Sequence, residues 1–344
     1  MPKTMKDKRF TDTILRWYSE NRRDLPWRRT RDPYAVWLCE IIMQQTRIAQ
    51  GTAYWKRFME AFPTVESLAE ASEDEVLRLW QGLGYYSRAR NLHAAARQIA
   101  DLGGFPRDYA GIRALKGVGD YTAAAIGSIA FGLPVAAVDG NVYRVLARHY
   151  GISEVVGTAA AKKTFTSLAQ SLVPQDRPGD FNQAMMDFGA LQCTPSSPAC
   201  LTCPLQETCD AFRTGRAELL PVKKAPAAVR TRRLHYIYPR WNGQTAIRRR
   251  GPGDIWQGLW EPLLFEDESG MREFLVQAGR NGRIVPVAEE MKHQLTHRTL
   301  LADLQIWLPD EKPELPEDFI WIPETELDRY GKSRLFEILL DRLP

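Results

Sequence analysis

The sequence has few cysteines, no long hydrophobic run and no apolar segment near its first residue. Five cysteines among 344 residues are too few for a disulfide-stabilised scaffold. Residues 1–10 are basic and lack the apolar run of a secretory signal. The longest uncharged stretch, Tyr121–Val138, is interrupted by glycines and Pro134, so we do not expect it to span a membrane. We therefore expect an intracellular, cytoplasmic protein with no membrane partner.

Charge is unevenly distributed along the chain, although the net charge is only +4. Residues 213–250 carry eleven Lys and Arg against one acidic residue, and residues 251–344 carry ten against nineteen. The basic stretch is interpreted either as a connector that follows a polyanion or as a solvated linker. The change in composition predicts a domain boundary between about 214 and 231. With 44% hydrophobic residues, the chain can form two or three folded domains.

The first part of the chain is predicted to be nearly all helical, because its apolar residues recur at helical spacing. The predicted helices are Phe10–Tyr18, Val36–Phe58, Glu73–Trp80, Ala89–Leu102, Thr122–Phe131, Val142–Tyr150 and Phe181–Leu191. The last part has short apolar runs at Leu234–Tyr238 and Leu304–Leu308, with helices expected near Gly270–Ala278 and Arg334–Leu343. This pattern predicts an α+β module.

Four of the five cysteines lie within one short stretch, at Cys193, Cys200, Cys203 and Cys209. Four thiolates at this spacing can hold one compact metal centre. Zinc also accepts four cysteines, but usually from two C-x2-C pairs, and here there is a single such pair. The spacing favours an iron–sulfur cluster, with zinc as the alternative.

A glycine-rich turn, Lys116-Gly117-Val118-Gly119, lies between two helical patterns. Glycines allow a tight turn whose N–H groups face a phosphate beside the following helix. The turn is a helix-hairpin-helix signature, although a G-x-G sequence is often only a connection between packed helices. The small-residue helix that follows favours the DNA-binding interpretation.

Two carboxylates are candidates for acid–base chemistry. Glu40 lies among bulky apolar residues in a helix expected to begin near Asp32-Pro33, and desolvation would raise its pKa, as a general acid requires. The alternative is an exposed Glu on the polar face of that helix. Asp139 precedes the helix Val142–Tyr150, and its simplest interpretation is an N-cap.

Taken together, these motifs resemble the endonuclease III superfamily of DNA base-excision glycosylases, and within it the MutY-type adenine DNA glycosylases. The hairpin, the loop Val138-Asp139-Gly140-Asn141 and the four-cysteine loop, in this order, match the superfamily. The more specific matches to the MutY type are Trp37-Leu38-Cys39-Glu40 followed by Gln44-Gln45-Thr46, Gly82-Leu83-Gly84-Tyr85-Tyr86, and Phe181-Asn182-Gln183-Ala184-Met185-Met186. The resemblance covers residues 10–215 closely and the remainder loosely.

The resemblance implies a mainly α N-terminal part with the helix-hairpin-helix glycosylase fold, followed by an α+β Nudix-like domain. It implies a helical catalytic region at 1–213, with a six-helix barrel at about 28–133 and a cluster subdomain from 1–27 and 134–213. A basic linker at 214–231 and a lesion-recognition domain at 232–344 would follow. The four cysteines would bind one [4Fe–4S] cluster.

The resemblance also implies a mechanism, with Glu40, Asp139 and Tyr121 as catalytic residues. Adenine would be extruded from the duplex. Glu40 would protonate the base, Asp139 would stabilise the sugar cation in ionised form, and Glu40 would then activate water. Relatives that cut the strand carry Lys where this chain has Tyr121, so we expect a monofunctional glycosylase.

Further residues are expected to contact substrate or DNA by the same resemblance. Arg28 would line the base pocket. Gln45 and Tyr85 would fill or wedge the base stack on the side of the opposing base. Gln183, where some relatives have Glu, departs from the pattern. The whole expected set is Arg28, Gln44, Gln45, Tyr85, Lys116, Gly117, Val118, Gly119, Gln183, Leu295, Thr296 and His297.

The C-terminal part resembles a Nudix domain through Ile255–Pro262 but lacks the Glu-rich metal box that hydrolysis needs. The lesion-reading loop Phe-Ser-His of relatives corresponds to Leu295-Thr296-His297, which keeps a hydroxyl and loses an aromatic ring. We expect the protein to act as a monomer on double-stranded DNA that holds adenine opposite 8-oxoguanine or guanine. The alternatives are a thymine or uracil mismatch glycosylase and a non-catalytic DNA-binding protein.

Overall fold

The protein is described by a computed structural model that covers residues 3–225 and 229–344. The described chain divides into two compact units, one from residues up to Ala69 together with Ala94–Ala225, and one from Glu70–His93 together with the C-terminal part. Three residues of the predicted linker 214–231, at 226–228, lie outside the described residues, as do residues 1–2. The predicted domain ranges, which were drawn by fold type, stay a prediction.

The first 213 residues form helices, as predicted. They are α1 Lys3–Asn21, α2 Pro33–Ile42, α3 Ile48–Ala61, α4 Val65–Glu70, α5 Glu73–Trp80, α6 Ser87–Asp101, α7 Tyr109–Ala114, α8 Asp120–Phe131, α9 Gly140–Tyr150, α10 Ala159–Leu172, α11 Pro178–Leu191 and α12 Asp210–Arg213. Within the described ranges, no helix is long and apolar enough to cross a membrane.

Helix α2 begins where the sequence predicted, because Asp32 accepts hydrogen bonds from Tyr34 N–H (3.2 Å) and Ala35 N–H (3.1 Å) and Pro33 occupies the first turn. The single helix predicted over Val36–Phe58 is wrong. The chain breaks at residues 43–47, where Gln45 adopts a positive φ of 54°. Apolar periodicity continues across the break, so it did not reveal two helices.

The sequence prediction also omitted α4, α7, α10 and the four-residue α12. The first two are six residues each and too short to establish a period. Helix α10 had a readable signal, since Thr158 caps it and its buried residues recur at helical spacing: Ala161, Phe165, Ala169 and Leu172.

In the first unit, helices α2 and α11 both pack against α8, and α11 also packs against α1 and α9. Helix α9 comes close to α11 because Gly189 has no side chain: a Cβ there would lie 2.6 Å from Cβ of Asn141. This close approach places the Asp139–Asn141 loop beside α8 and α11.

The second unit contains a seven-stranded sheet and confirms the expected α+β character. Its elements are β1 Arg230–Trp241, β2 Gln244–Arg249, β3 Trp260–Glu261, β4 Leu263–Phe265, α13 Glu268–Ala278, β5 Gly282–Gln294, β6 Arg298–Pro309, β7 Phe319–Pro323 and α14 Arg334–Leu340. The strand order is β3-β2-β1-β6-β5, with β4 beside β1 and β7 beside β2. Strands β1 and β6 are parallel, from Arg230 opposite Arg298 to Pro239 opposite Trp307.

The basic stretch 213–250 is not a connector over most of its length, because residues 230–249 form strands β1 and β2. Its arginines pair with carboxylates of the same unit. Arg232 pairs with Asp254 and Glu266, and Arg250 pairs with Asp254 and Glu261. A polyanion would have to displace these partners, so the interpretation as a nucleic-acid connector is wrong for the two strands.

We expect Gly189→Ala to destabilise the protein by about 1–3 kcal/mol, because the added methyl group overpacks the α9–α11 contact against Asn141. The matched control is Gly140→Ala at the start of α9, where an added Cβ meets no atom within 4 Å. Thermal unfolding followed by circular dichroism measures both. Equal melting temperatures for the two variants would contradict the close-approach argument.

Candidate active site

Glu40, Tyr121 and Asp139 lie together in one cavity of the first unit. The Tyr121 hydroxyl donates a hydrogen bond to Oε2 of Glu40 at 2.8 Å. All three side chains line a cavity of about 180 Å³, which α2, α8, α11 and the loop before α9 enclose. Tyr121 and Asp139 follow Glu40 by 81 and 99 positions in the sequence. The fold therefore brings distant residues into one cavity.

Burial raises the pKa of Glu40 to about 7, as its apolar neighbours in the sequence led us to expect. The hydrogen bond from Tyr121 opposes this rise, the charge of Asp139 adds to it, and the charge of Arg28 opposes it. Burial also raises the pKa of the neighbouring Cys39 thiol, which is only 3% exposed. A carboxyl group with a pKa near 7 can both give and take a proton at neutral pH.

Asp139 is an N-cap and a cavity residue at the same time. Its Oδ1 accepts from the Val142 N–H at 2.8 Å, and its Oδ2 accepts from the Asn141 amide at 2.7 Å. Burial raises the pKa of Asp139 above its ordinary value, while these two hydrogen bonds favour the ionised form and oppose the rise. The capping interpretation and the catalytic interpretation therefore do not exclude each other.

Arg28 and Gln183 line the same cavity, and each is held by a residue behind it. Gln183 Oε1 accepts from the Tyr18 hydroxyl at 2.7 Å. Arg28 forms a two-point pair with Asp187, with Nη2 2.7 Å from Oδ1 and Nη1 bonded to Oδ2. Sequence reasoning missed Asp187; the available signal was an acidic residue at a buried position of the α11 pattern.

The glycine-rich turn forms the predicted hairpin between α7 and α8. Gly117 has a φ of 74°, which favours glycine, and Val118 is buried beneath the turn. Gly119 precedes α8 with no side-chain cap, and a Cβ there would meet no atom within 4 Å. Lys116 is exposed on this turn. The free first-turn N–H groups of α8 and the open space above Gly119 leave room for a phosphate.

The loop between α2 and α3 holds the other two predicted contacts of the first unit. The Gln44 amide lies 3.4 Å from the Thr122 hydroxyl of α8, and Gln45 is exposed.

The four cysteines lie in the loop 193–209, which contacts the end of α9 where Cys209 Sγ is 3.5 Å from the Arg148 carbonyl oxygen. Burial and the neighbouring cysteine charges raise the pKa values of Cys200, Cys203 and Cys209, that of Cys203 to about 12. Without a metal, thiols with raised pKa values would be protonated. The positive charge of a bound metal would be what stabilises them as thiolates.

Arg148 supports a negatively charged group at this loop. It is 2% exposed, and its Nη1 lies 3.3 Å from Sγ of Cys193 while its other donors bind carbonyl groups of Thr194, Pro195 and Leu220. The donor chemistry therefore fits a cluster with thiolate ligands. In the part of the chain that the structure describes, no three His, Cys, Asp or Glu side chains are placed to hold a single metal ion.

The second unit has a cavity of about 610 Å³ that contains the remaining predicted contacts. Leu295-Thr296-His297 is the turn between β5 and β6, and the Thr296 hydroxyl lies 2.5 Å from the Tyr85 hydroxyl. Tyr85 is 40% exposed, with a φ of 48°. Trp256, which sequence reasoning missed, lines this cavity with a φ of 63°.

Models of two protein families match the chain. The model described as HhH-GPD superfamily base excision DNA repair protein matches residues 38–173, which include Glu40, the hairpin and Asp139. The model of the NUDIX domain matches residues 235–342. The chain is therefore a member of the HhH-GPD superfamily that also carries a NUDIX domain.

Similar proteins are named adenine DNA glycosylase. The one from Rattus norvegicus is 38% identical over 330 residues, which cover 87% of this chain and 64% of that protein. The one from Buchnera aphidicola subsp. Baizongia pistaciae is 32% identical over 303 residues, which cover 87% of this chain and 86% of that protein. The chain belongs to the adenine DNA glycosylase family. It spans just under two thirds of the length of the rat relative.

Solved structures share the fold of the first part. A thermostable thymine-DNA glycosylase matches with a TM-score of 0.57 and 33% identity, over 62% of this chain and 100% of that chain. A non-covalent endonuclease III–DNA complex matches with a TM-score of 0.54 and 24% identity, over 62% of this chain and 99% of that chain, and shows the fold alone.

We expect Tyr121→Phe to raise the pKa of Glu40 by about one to two units above its value near 7. The variant removes a hydrogen bond to the carboxylate, which contributes roughly 1.5–3 kcal/mol. Carbon-13 NMR titration of the Glu40 carboxyl, identified by its loss in Glu40→Gln, measures the midpoint.

The control for this titration is Tyr34→Phe, which removes a buried hydroxyl of the same helix that donates to the Phe62 carbonyl at 2.7 Å. The Glu40 midpoint should not move in the control. A lower midpoint in Tyr121→Phe than in the wild type would show that the hydroxyl does not stabilise the carboxylate.

Proposed function

We propose that the protein is a monofunctional adenine DNA glycosylase that hydrolyses the N-glycosidic bond of adenine mispaired with 8-oxoguanine or guanine. The observation that carries the proposal is the pair of carboxyl groups, Glu40 and Asp139, in one cavity beside Tyr121. Enzymes that cleave glycosidic bonds usually use two carboxyl groups in different environments. Membership of the adenine DNA glycosylase family supports adenine as the base.

The chemistry follows from the protonation states. The adenine nucleotide leaves the duplex and enters the cavity, because its glycosidic bond is out of reach inside the stack. Protonated Glu40 gives its proton to N7 of the base, and the bond between C1′ and N9 breaks with its electrons leaving on the base. Ionised Asp139 stabilises the positive charge that develops on the sugar. Glu40, now a carboxylate, takes a proton from the water that attacks C1′, and the products are adenine and an abasic site.

Other cavity residues position the base. Arg28 and Gln183 line the cavity and can donate hydrogen bonds to the ring nitrogens of the base. The hairpin Gly117–Gly119 would bind a phosphate of the same DNA. Tyr121 provides no amine for a Schiff base, and Lys116 is exposed on the hairpin, so the enzyme should not cut the strand through an imine.

Recognition of the base opposite adenine is assigned to the cavity of the second unit. Thr296 offers a hydroxyl there that can both donate to and accept from the edge of 8-oxoguanine. Leu295 has less stacking area than an aromatic residue, but Trp256 and Tyr85 supply aromatic surface in the same cavity.

Glu40→Gln should reduce the single-turnover rate of adenine release by at least about a hundredfold, because the amide cannot donate the proton. Binding to the same duplex, measured by fluorescence anisotropy, should be retained. Duplexes with A opposite 8-oxoguanine, A opposite G and T opposite G are compared, and we expect the fastest release from the first.

The T·G duplex tests the second candidate, a thymine-DNA glycosylase, which the similarity to that solved structure favours. Thymine release without adenine release would replace our proposal with that one. Binding without any base release from the wild type would identify a non-catalytic DNA-binding protein.

We also propose that Cys193, Cys200, Cys203 and Cys209 hold one [4Fe–4S] cluster, which the buried Arg148 beside Cys193 supports. The purified protein should be yellow-brown and contain about four irons per chain. Cys203→Ser should lose iron and colour, whereas Cys39→Ala, which changes the buried fifth cysteine of α2, should retain both. A colourless protein with stoichiometric zinc would contradict the assignment.

A further inference from the structure

Asp187 is a buried carboxylate that the proposed reaction does not use. Its side chain is completely buried, yet it receives hydrogen bonds from Nε of Arg23 at 2.7 Å, from the Arg23 N–H at 3.2 Å and from both Nη atoms of Arg28. Burial by itself would raise the pKa of Asp187, but the hydrogen bonds and charges of the two arginines hold it below its ordinary value. Asp187 is therefore an anion within the helical unit.

An ion pair of this kind is not the most stable way to fill the space. Replacing a buried pair with well-packed apolar side chains is often neutral or stabilising, whereas removing one partner is costly. Asp187 lies on α11 behind the cavity wall, while Arg28 continues from the pair into the cavity that holds Glu40 and Asp139. The position of Arg28 in that cavity is what the pair secures.

We propose that Asp187 is a positioning residue of the reaction, which holds the Arg28 guanidinium away from Glu40 and so keeps Glu40 able to donate its proton. The inference rests on the proposed function. Its physical basis is that Asp187 and the carboxyl groups of the cavity compete for the guanidinium of Arg28. Asp187 binds Arg28 at two points, and the carboxyl groups that line the same cavity as Arg28 are Glu40 and Asp139.

The groups that face Glu40 come from every element around it. They are Tyr121 from α8, Asp139 from the loop before α9, Arg28 from the turn before α2, and Cys39 from its own helix. Arg28 is the cation whose charge lowers the pKa of Glu40, against the larger effect of burial. Arg23, the other arginine bound to Asp187, also lines the cavity. A guanidinium that moved from Asp187 to Glu40 would ionise Glu40 and remove the acid.

The test is the pH dependence of single-turnover adenine release for the wild type and Asp187→Asn. In the wild type the rate should fall as pH rises above about 7, where Glu40 loses its proton. In Asp187→Asn this alkaline limb, the fall in rate at high pH, should move to lower pH by about one unit. The reason is that an opposite charge in contact lowers a carboxyl pKa by one unit or more. The rate at pH 8 should then be about tenfold below the wild type, with little change near pH 5.5.

Two matched variants separate positioning from a structural role. Asp187→Glu keeps the charge and should restore most of the wild-type profile. Asp180→Asn removes an exposed carboxylate of the same helix, paired with Arg177, and should leave the profile unchanged. A uniform loss of rate at every pH in Asp187→Asn, without movement of the limb, would show that Asp187 only stabilises the fold and would overturn the proposal.

The same pair can also be tested by changing Arg28. Arg28→Gln should move the alkaline limb to higher pH than in the wild type, because a cation near Glu40 is lost and the Glu40 pKa rises. If Asp187 acts through Arg28, the double variant Arg28→Gln/Asp187→Asn should have the same limb as Arg28→Gln. A further shift in the double variant would overturn the proposal. Absence of adenine release from the wild type is a separate result, which contradicts the proposed function itself.

Discussion

The hydrogen bond between Tyr121 and Glu40 joins the two helices on which the candidate site depends. Glu40 is on α2, whose other side chains are almost all buried, and Tyr121 is on the first turn of α8, directly after the hairpin. A carboxyl group in such surroundings has a raised pKa, and a single well-placed donor limits the rise. The packing of α2 on α8 therefore sets the protonation of Glu40 and, through α8, the position of the glycine-rich turn.

Helix α11 completes this arrangement from the other side. It contributes Gln183 to the cavity and Asp187 behind it, and its Gly189 lets the Asp139–Asn141 loop come close. Helix α11 thus supplies Gln183 to the cavity, binds Arg28 through Asp187 and allows the close approach of the chain beside Asp139. Asp139 caps α9 in addition, so the hydrogen bonds that begin the helix are the ones that favour its charged form.

The second unit uses charge in a different way. Its arginines on β1 and β2 pair with acidic side chains of the same unit, and Arg250 is buried with Glu261. Its candidate contact with DNA is an aromatic and hydroxyl-bearing cavity, where Tyr85 and Trp256 are held with positive φ angles. Bulky residues adopt this backbone conformation only where their surroundings determine it. In our proposal the cavity of this unit reads a base edge, whereas its arginines pair within the unit and stabilise the fold.

The sequence by itself determined the helical first part, the α+β last part, the hairpin, the cysteine cluster and the unusual position of Glu40, because periodicity, glycine spacing and apolar neighbours are local properties of the chain. Only the tertiary structure decided that Asp139 lines the same cavity as Glu40 and that Asp187 binds Arg28. It also decided that the arginines of residues 230–250 are paired within their own unit. It also decided that the run Val36–Phe58 is two helices. These outcomes depend on which distant residues are packed together, and a one-dimensional pattern carries no distance between them.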